Sequence, residues 1–212
     1  MIFQRDEYNF GPVAVHLMNF SDFDPSQFLH QLTSIEIERF FSFSNSQRKR
    51  EFVATRMLRH EIFGFQHVHY DAVGAPFIEG EGFISISHSK NIVGIATCLD
   101  FKIGLDIEPI SNKIDKIKHK ILSIGEVEKL DCSSLVELTK VWSGKESLYK
   151  ISGTKGINFR TQLELSKVNE EEWNGIYRNE NDSFSTDLNI FELDNRIISI
   201  NTKACEKLSD HF

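Results

Sequence analysis

Two stretches of this chain carry the same strand, turn and strand pattern, and that recurrence limits the fold more than any other feature. The first is Phe83-Ile84-Ser85-Ile86 with Ile92-Val93-Gly94-Ile95, the second Leu188-Asn189-Ile190-Phe191 with Ile197-Ile198-Ser199-Ile200. Apolar and β-branched residues on either side of a short polar turn read as an antiparallel hairpin. The elements around the hairpins recur as well. A strand over residues 13–18 leads to helix from about Ser34, broken near Asn45 and resuming to Phe63, then to strands near 67–73, 83–87 and 93–98. From Lys102 the order restarts with a strand over 103–108, helices near 114–122 and 135–151, and strands near 163–168, 188–193 and 197–201. The expected fold is α+β, with two similar halves about a pseudo-twofold axis. Each half is a small antiparallel sheet packed with helices, and the active site is expected in the cleft between them. The boundary falls at 1–102 and 103–212. It must be tight, because the four prolines, at 12, 25, 76 and 109, lie far apart and no Gly/Ser-rich linker occurs.

A hydrophobic content of 40% over 212 residues supplies a sizeable core without staples. Cys98, Cys132 and Cys205 are odd in number and widely spaced, which suits reduced thiols. Charge interrupts the N-terminus at Arg5, Asp6 and Glu7, and the longest apolar stretch, near 92–99, is too short for a bilayer. A soluble, cytoplasmic protein with no membrane partner is expected. The net charge of -7 argues against nucleic-acid binding, which needs a basic surface. One local run departs from that balance: Arg48, Lys49, Arg50, Arg56 and Arg59 face the single acid Glu51. Such a run suits either a solvated helix face or an anion site.

Several positions carry chemistry. Ile103-Gly104-Leu105-Asp106-Ile107-Glu108 alternates, so a strand sends Asp106 and Glu108 to one face, where paired carboxylates repel unless a cation joins them. Hard oxygens of this kind suit magnesium. On the helix 135–151, Leu135, Leu138, Val141, Trp142, Leu148 and Tyr149 form an apolar stripe broken by Lys145, which reads either as a functional position or as a snorkelling lysine. Glu146 and Lys150, four residues apart, share a face as a salt bridge or as a catalytic pair. Arg56 and Arg59 share a face with Phe52 and Phe63 and need an anion, either a phosphate or a structural carboxylate. Ser87-His88-Ser89 supplies polar groups at a strand end. His67 and His69 alternate but have no third metal ligand nearby, so they read as strand surface.

The order Gly74-Ala75-Pro76, Ile86-Ser87-His88-Ser89, Ile103-Gly104-Leu105-Asp106-Ile107-Glu108, Trp142-Ser143-Gly144-Lys145-Glu146-Ser147-Leu148-Tyr149-Lys150 resembles the 4'-phosphopantetheinyl transferase superfamily. It looks like the longer, monomeric, two-repeat type that activates peptide synthetases such as surfactin synthetase, with the motif-bearing core near 48–156. The resemblance implies a holo-[acyl-carrier-protein] synthase activity. The 4'-phosphopantetheine arm of coenzyme A passes to a serine of an acyl or peptidyl carrier protein, releasing adenosine 3',5'-bisphosphate. It implies that Asp106, Glu108 and Glu146 hold Mg2+ against the pyrophosphate, that Lys150 neutralises charge there, and that His88 and Arg56 hold the 3'-phosphate. Ser87, Arg48, Lys49 and Arg50 are further candidates for coenzyme A contacts, and Glu146 or Glu126 for taking the serine proton. Two departures stand out: Ala75 replaces a lysine frequent in relatives, and the run from Lys150 to Gly156 is one residue longer than usual. Alternatives in the same fold are a non-catalytic coenzyme A or carrier-protein binding module and a magnesium-dependent nucleotide pyrophosphate hydrolase.

Overall fold

The computed structural model describes residues 2–64, 66, 68–71, 74–80 and 82–208. Strands β1 (Phe3–Phe10) and β2 (Val13–Phe20) lead to a 3-10 turn over Pro25–Gln31 and helices α1 (Ser34–Ser42) and α2 (Ser46–Phe63). Strands β3 (His69–Tyr70), β4 (Pro76–Phe77), β5 (Phe83–Ser89) and β6 (Ile92–Cys98) complete the first half. The second runs through β7 (Leu105–Pro109), α3 (Lys113–Ile121), α4 (Ile124–Lys129), α5 (Leu135–Ser152), β8 (Leu163–Lys167), β9 (Glu172–Arg178), β10 (Ser183–Leu193), β11 (Arg196–Asn201) and β12 (Glu206–Lys207).

The strands form two antiparallel sheets, ordered β1-β2-β6-β5-β4-β3 and β7-β11-β10-β9-β8, with β12 beside β10. Without β1 the first order becomes β2-β6-β5-β4-β3, which matches the second strand for strand. Helices enter at the same place in each half, after the first of these strands. The two hairpins recognised from sequence therefore hold equivalent positions, and both turn through left-handed residues: Asn91 in the first, Asp194 and Asn195 in the second. Asparagine and aspartate tolerate that conformation through local hydrogen bonding.

The fold is α+β with two sheets and their helices, as expected. Differences lie in charged or short elements. Strand β1 pairs with β2 along its full length, yet its sequence FQRDEYNF is too polar to show as a strand, because an edge needs only one apolar side. Strand β9 buries Trp173, Gly175 and Tyr177 on one face, a pattern hidden among flanking Asn and Glu residues. The expected strand over 67–73 reduces to His69–Tyr70 paired with β4, while His67, Ala72 and Val73 lie outside the described residues.

Helix α2 covers the first sheet and α5 the second. A third apolar cluster joins the halves: Val15, Leu17, Ile92 and Ala96 from one sheet meet Leu105, Ile107, Phe191, Ile198 and Ile200 from the other. Tyr8 and Phe10 rest on Phe191 at ring distances of 5.4 and 5.9 Å. Each buried aliphatic side chain here contributes about 1.5–3 kcal/mol, so the two sheets are held face to face.

Helix α5 starts at a Ser134 cap and ends at left-handed Gly153, φ 63°. It packs closely because two motif glycines leave room. A Cβ on Gly104 would meet the carbonyl oxygen of Ser147 at 2.2 Å, and one on Gly144 would meet Leu165 Cδ1 at 2.6 Å. The first approach is to backbone, so only glycine at 104 lets the helix lie this near the strand, whereas at 144 the leucine side chain of β8 would have to shift. That proximity brings the C-terminal turn of α5 onto β7.

Candidate functional site

Strands β5 and β7 belong to different sheets, and side chains join them. Leu105 N donates to Ser85 Oγ at 2.9 Å and Ile107 N to Ser87 Oγ at 3.2 Å. The serines of Ile84-Ser85-Ile86-Ser87 thus accept the amides that a neighbouring strand would otherwise have taken. This satisfies buried donors while leaving the carboxylates of β7 free to face α5.

Asp106 is 4% exposed. Its Oδ1 accepts from Lys150 Nζ at 2.9 Å and from Ser87 Oγ at 3.3 Å, and its Oδ2 from Ser143 Oγ at 3.0 Å. Lys150 also donates to the carbonyl of Leu105 at 2.6 Å and to Ser87 Oγ at 3.2 Å. Sequence spacing suggested that Lys150 pairs with Glu146; the structure gives it to Asp106, across the helix–strand contact. Glu108, two residues along the strand, accepts from Trp142 Nε1 at 3.0 Å.

Glu146 makes no hydrogen bond or ion pair with a described residue, although it is half-buried. Burial, then the charges of Asp106 and Glu108, push its carboxyl up to about 7 against the pull of Lys150. Burial and Asp106 also raise Glu108, opposed by the Trp142 hydrogen bond. Asp106, Glu108 and Glu146 are therefore electrostatically coupled, and one lysine leaves negative charge uncompensated. Among the described residues no group of three or more His, Cys, Asp or Glu side chains is placed to hold a metal ion by itself. Magnesium does not require one, since it commonly takes one or two carboxylates and completes its shell with water and substrate phosphates. The donor set and its unbalanced charge fit that ion.

A cavity of about 620 Å³ opens between α1, α2 and the β5 end. Four arginines line it, Arg39, Arg48, Arg56 and Arg59, against two glutamates, Glu36 and Glu51, with His60 and His88 beside them. The excess of positive charge suits an anion. Arg56 lies over Phe52, its guanidinium carbon 3.7 Å from the ring centre. His88 Nε2 meets Arg48, and its Nδ1 lies 3.5 Å from Glu51. Burial, above all, pushes the His88 pKa down, with Glu51 opposing and Arg48 and Lys150 adding to the shift. Lys49 turns over Phe40 at 4.9 Å instead, and Arg50 pairs with Asp22 at 3.3 Å. Ala75 sits with Lys150 and Ile103 along two smaller cavities of about 430 and 270 Å³.

Of the residues singled out from sequence, Ser87, Asp106, Glu108, Glu146 and Lys150 come together at the β5–β7–α5 junction, and Arg48, Arg56 and His88 at the cavity. Glu126 stands apart. It is 1% exposed, and both oxygens are taken: Oε2 by Lys145 Nζ and Ser123 N, each at 2.7 Å, and Oε1 by Leu165 N at 2.8 Å. Lys145, fully buried, also donates to the carbonyls of Ile121 and Phe159 at 2.6 and 3.0 Å. The lysine that breaks the apolar stripe of α5 thus neither reaches a ligand nor snorkels; it joins α3, α4 and β8 through a buried ion pair. Sequence reasoning passed over Glu36, whose signal was the capping box with Thr33, and Ser143, inside the Trp142 motif.

Residues 102–200 match the family model of the 4'-phosphopantetheinyl transferase superfamily. This segment runs from the approach to β7 into β11 and contains Asp106, Glu108, Glu146 and Lys150. The chain is also 29% identical, over 153 residues, to enterobactin synthase component D of Escherichia coli O157:H7 and of Shigella flexneri. That alignment covers 66% of this chain and 73% of each relative. Over residues 102–200 the chain is similar to the 4'-phosphopantetheinyl transferase superfamily. Its cationic cavity lies outside the matched segment. No helix among the described residues is long and apolar enough to cross a membrane.

Proposed function

We propose that this protein moves the 4'-phosphopantetheine arm of coenzyme A onto a serine of an acyl or peptidyl carrier protein, releasing adenosine 3',5'-bisphosphate. The observation that carries the reading is the half-buried, unpartnered Glu146 facing Asp106 and Glu108 beside Lys150, next to a cavity with surplus positive charge. Residues 1–102 supply the coenzyme A contacts and 103–212 the metal-binding and catalytic groups, with the reaction between them.

In this reading Arg56 and His88, with Arg48, hold the 3'-phosphate. Asp106, Glu108 and Glu146 would hold magnesium, which would supply charge neutralisation at the pyrophosphate. The carrier serine Oγ attacks the β-phosphorus as its bond to the bridging oxygen breaks. The serine proton passes to Glu146 directly or through water, because Glu126 is 1% exposed and ion-paired with Lys145. Lys150 balances charge on the departing bisphosphate, and Asp106 and Ser87 keep its ammonium in place. Most of the acceleration comes from positioning and charge stabilisation.

The carrier is expected to dock on α3 and α4. Ile124 and Val127 of α4 are 71% and 54% exposed, and the exposed positions of α3 and α4 include Lys113, Lys116, Lys120 and Lys129 as well as Asp115 and Glu128. Exposed apolar anchors on helices that carry more lysine than acid suit a partner with apolar contacts and acidic flanks. The protein would act as a cytoplasmic monomer.

The test is intact-mass measurement of apo-carrier proteins incubated with the protein, coenzyme A and magnesium. Gain of one phosphopantetheine on one serine is the expected result. Release of free phosphopantetheine with no carrier modified would instead point to hydrolysis.

A further inference from the structure

The Arg56 guanidinium is committed on one edge and one face only. Its Nε donates to Glu36 Oε1 at 3.3 Å and its face rests on Phe52. Its two terminal nitrogens make no hydrogen bond to a described residue, and Arg56 lines the cavity. Arg59 differs: Nη1 donates to the same Glu36 oxygen at 2.8 Å and Nη2 meets His60 at 3.0 Å. Glu36 is itself held from behind, because Oε2 accepts from both Thr33 N and Thr33 Oγ1 at 3.1 Å. A rigid chain of contacts thus runs from the α1 cap through Glu36 to Arg56, with Arg59 as a fixed brace.

From this geometry we propose that Glu36 is a positioning residue that presets Arg56 as a phosphate fork and thereby selects coenzyme A bearing its 3'-phosphate. The inference rests on the reading that Arg56 holds that phosphate. A guanidinium gripped at Nε and resting on an aromatic ring loses little freedom when its outer edge binds a second anion. The competing effect has the opposite sign. Among the described residues Glu36 is one of two carboxylates lining the cavity, so if it merely dilutes the positive charge, removing it tightens anion binding.

Steady-state kinetics with coenzyme A and with dephospho-coenzyme A, which lacks the 3'-phosphate, separate these cases. Glu36→Ala should raise KM for coenzyme A about tenfold, the loss expected for one charge-assisted contact, and leave KM for dephospho-coenzyme A unchanged, so that the preference between the two collapses. The loss should fall on KM and spare kcat. Glu36→Gln, which keeps an acceptor for Nε, should recover part of it. Calorimetry with adenosine 3',5'-bisphosphate should rank the variants in the same order, and it decides through Glu36→Gln if the alanine variant fails to fold. Arg56→Ala tells the inference apart from the reading beneath it. If Arg56→Ala abolishes the preference while both Glu36 variants keep it or bind more tightly, the positioning role is overturned and the phosphate assignment stands. If Arg56→Ala leaves the preference intact, the phosphate assignment falls, and the role of Glu36 with it.

Discussion

The ammonium of Lys150 lies 2.9 Å from Asp106 Oδ1, and the Glu146 carboxylate one helical turn away has no partner among the described residues. Two residues that spacing would pair with each other therefore have opposite electrostatic situations, one compensated and one not.

From this follows a contrast in stability. Lys150→Met leaves the buried Asp106 without its cation and should cost about 1–3 kcal/mol. Glu146→Gln removes a repelled charge and should leave the melting temperature unchanged or higher. Both variants should slow transfer on the order of 100-fold or more. Thermal melts alongside the mass-based transfer assay check this; two variants that melt alike and transfer normally would remove both residues from the site.

The pH dependence has a defined sign. The folded-state pKa of Glu146, about 7, lies above its ordinary 4.5, so the fold binds that proton more tightly than the unfolded chain does. Its contribution is fully present below 4.5 and is lost as pH rises through about 7. Glu108 is shifted in the same direction. Without a divalent cation, the wild type should lose stability across this window relative to Glu146→Gln. Magnesium should restore it, more at about pH 8 than at about pH 5.5, because it binds the ionised carboxylates. Melting curves with chelator or magnesium test the point, and equal magnesium shifts at both pH values would count against a metal at Glu146.

The Lys145–Glu126 pair predicts a different pattern. Lys145→Met leaves a buried carboxylate uncompensated and should cost about 3–5 kcal/mol. Adding Glu126→Gln removes that charge while Gln still accepts from Leu165 N, so the double variant should recover much of the loss. Denaturant unfolding of the two singles and the double gives the coupling. A double variant as unstable as the sum of the singles would contradict a closed pair.

The carrier surface should separate kinetically from the coenzyme A site. Ile124→Asp places a charge at the centre of the exposed apolar patch and should raise KM for the carrier about tenfold or more, with KM for coenzyme A unchanged. A rise for coenzyme A instead would move the docking surface elsewhere.

Much of this was legible in the residues. Period-two patterns in β5, β6, β10 and β11 and the apolar stripe of α5 fixed the local elements, because burial of one face imposes its spacing on the chain. The alternation through Asp106 and Glu108 likewise fixed that the two carboxylates share a strand face. Which cation meets which carboxylate was not contained in the spacing. Lys150 reaches Asp106 because Gly104 lets α5 settle beside β7, and Lys145 finds Glu126 because α4 closes beneath the helix. Arg56 and Arg59, open to either a phosphate or a carboxylate by sequence, both receive Glu36 from a helix some 20 positions earlier. The sequence by itself determined most of the strands and helices and their repetition, since these depend on periodicity along the chain, but not β1 or β9, whose polar residues mask it. Tertiary structure alone decided the charge partners, since a pairing of charges depends on distances between elements that no local pattern encodes.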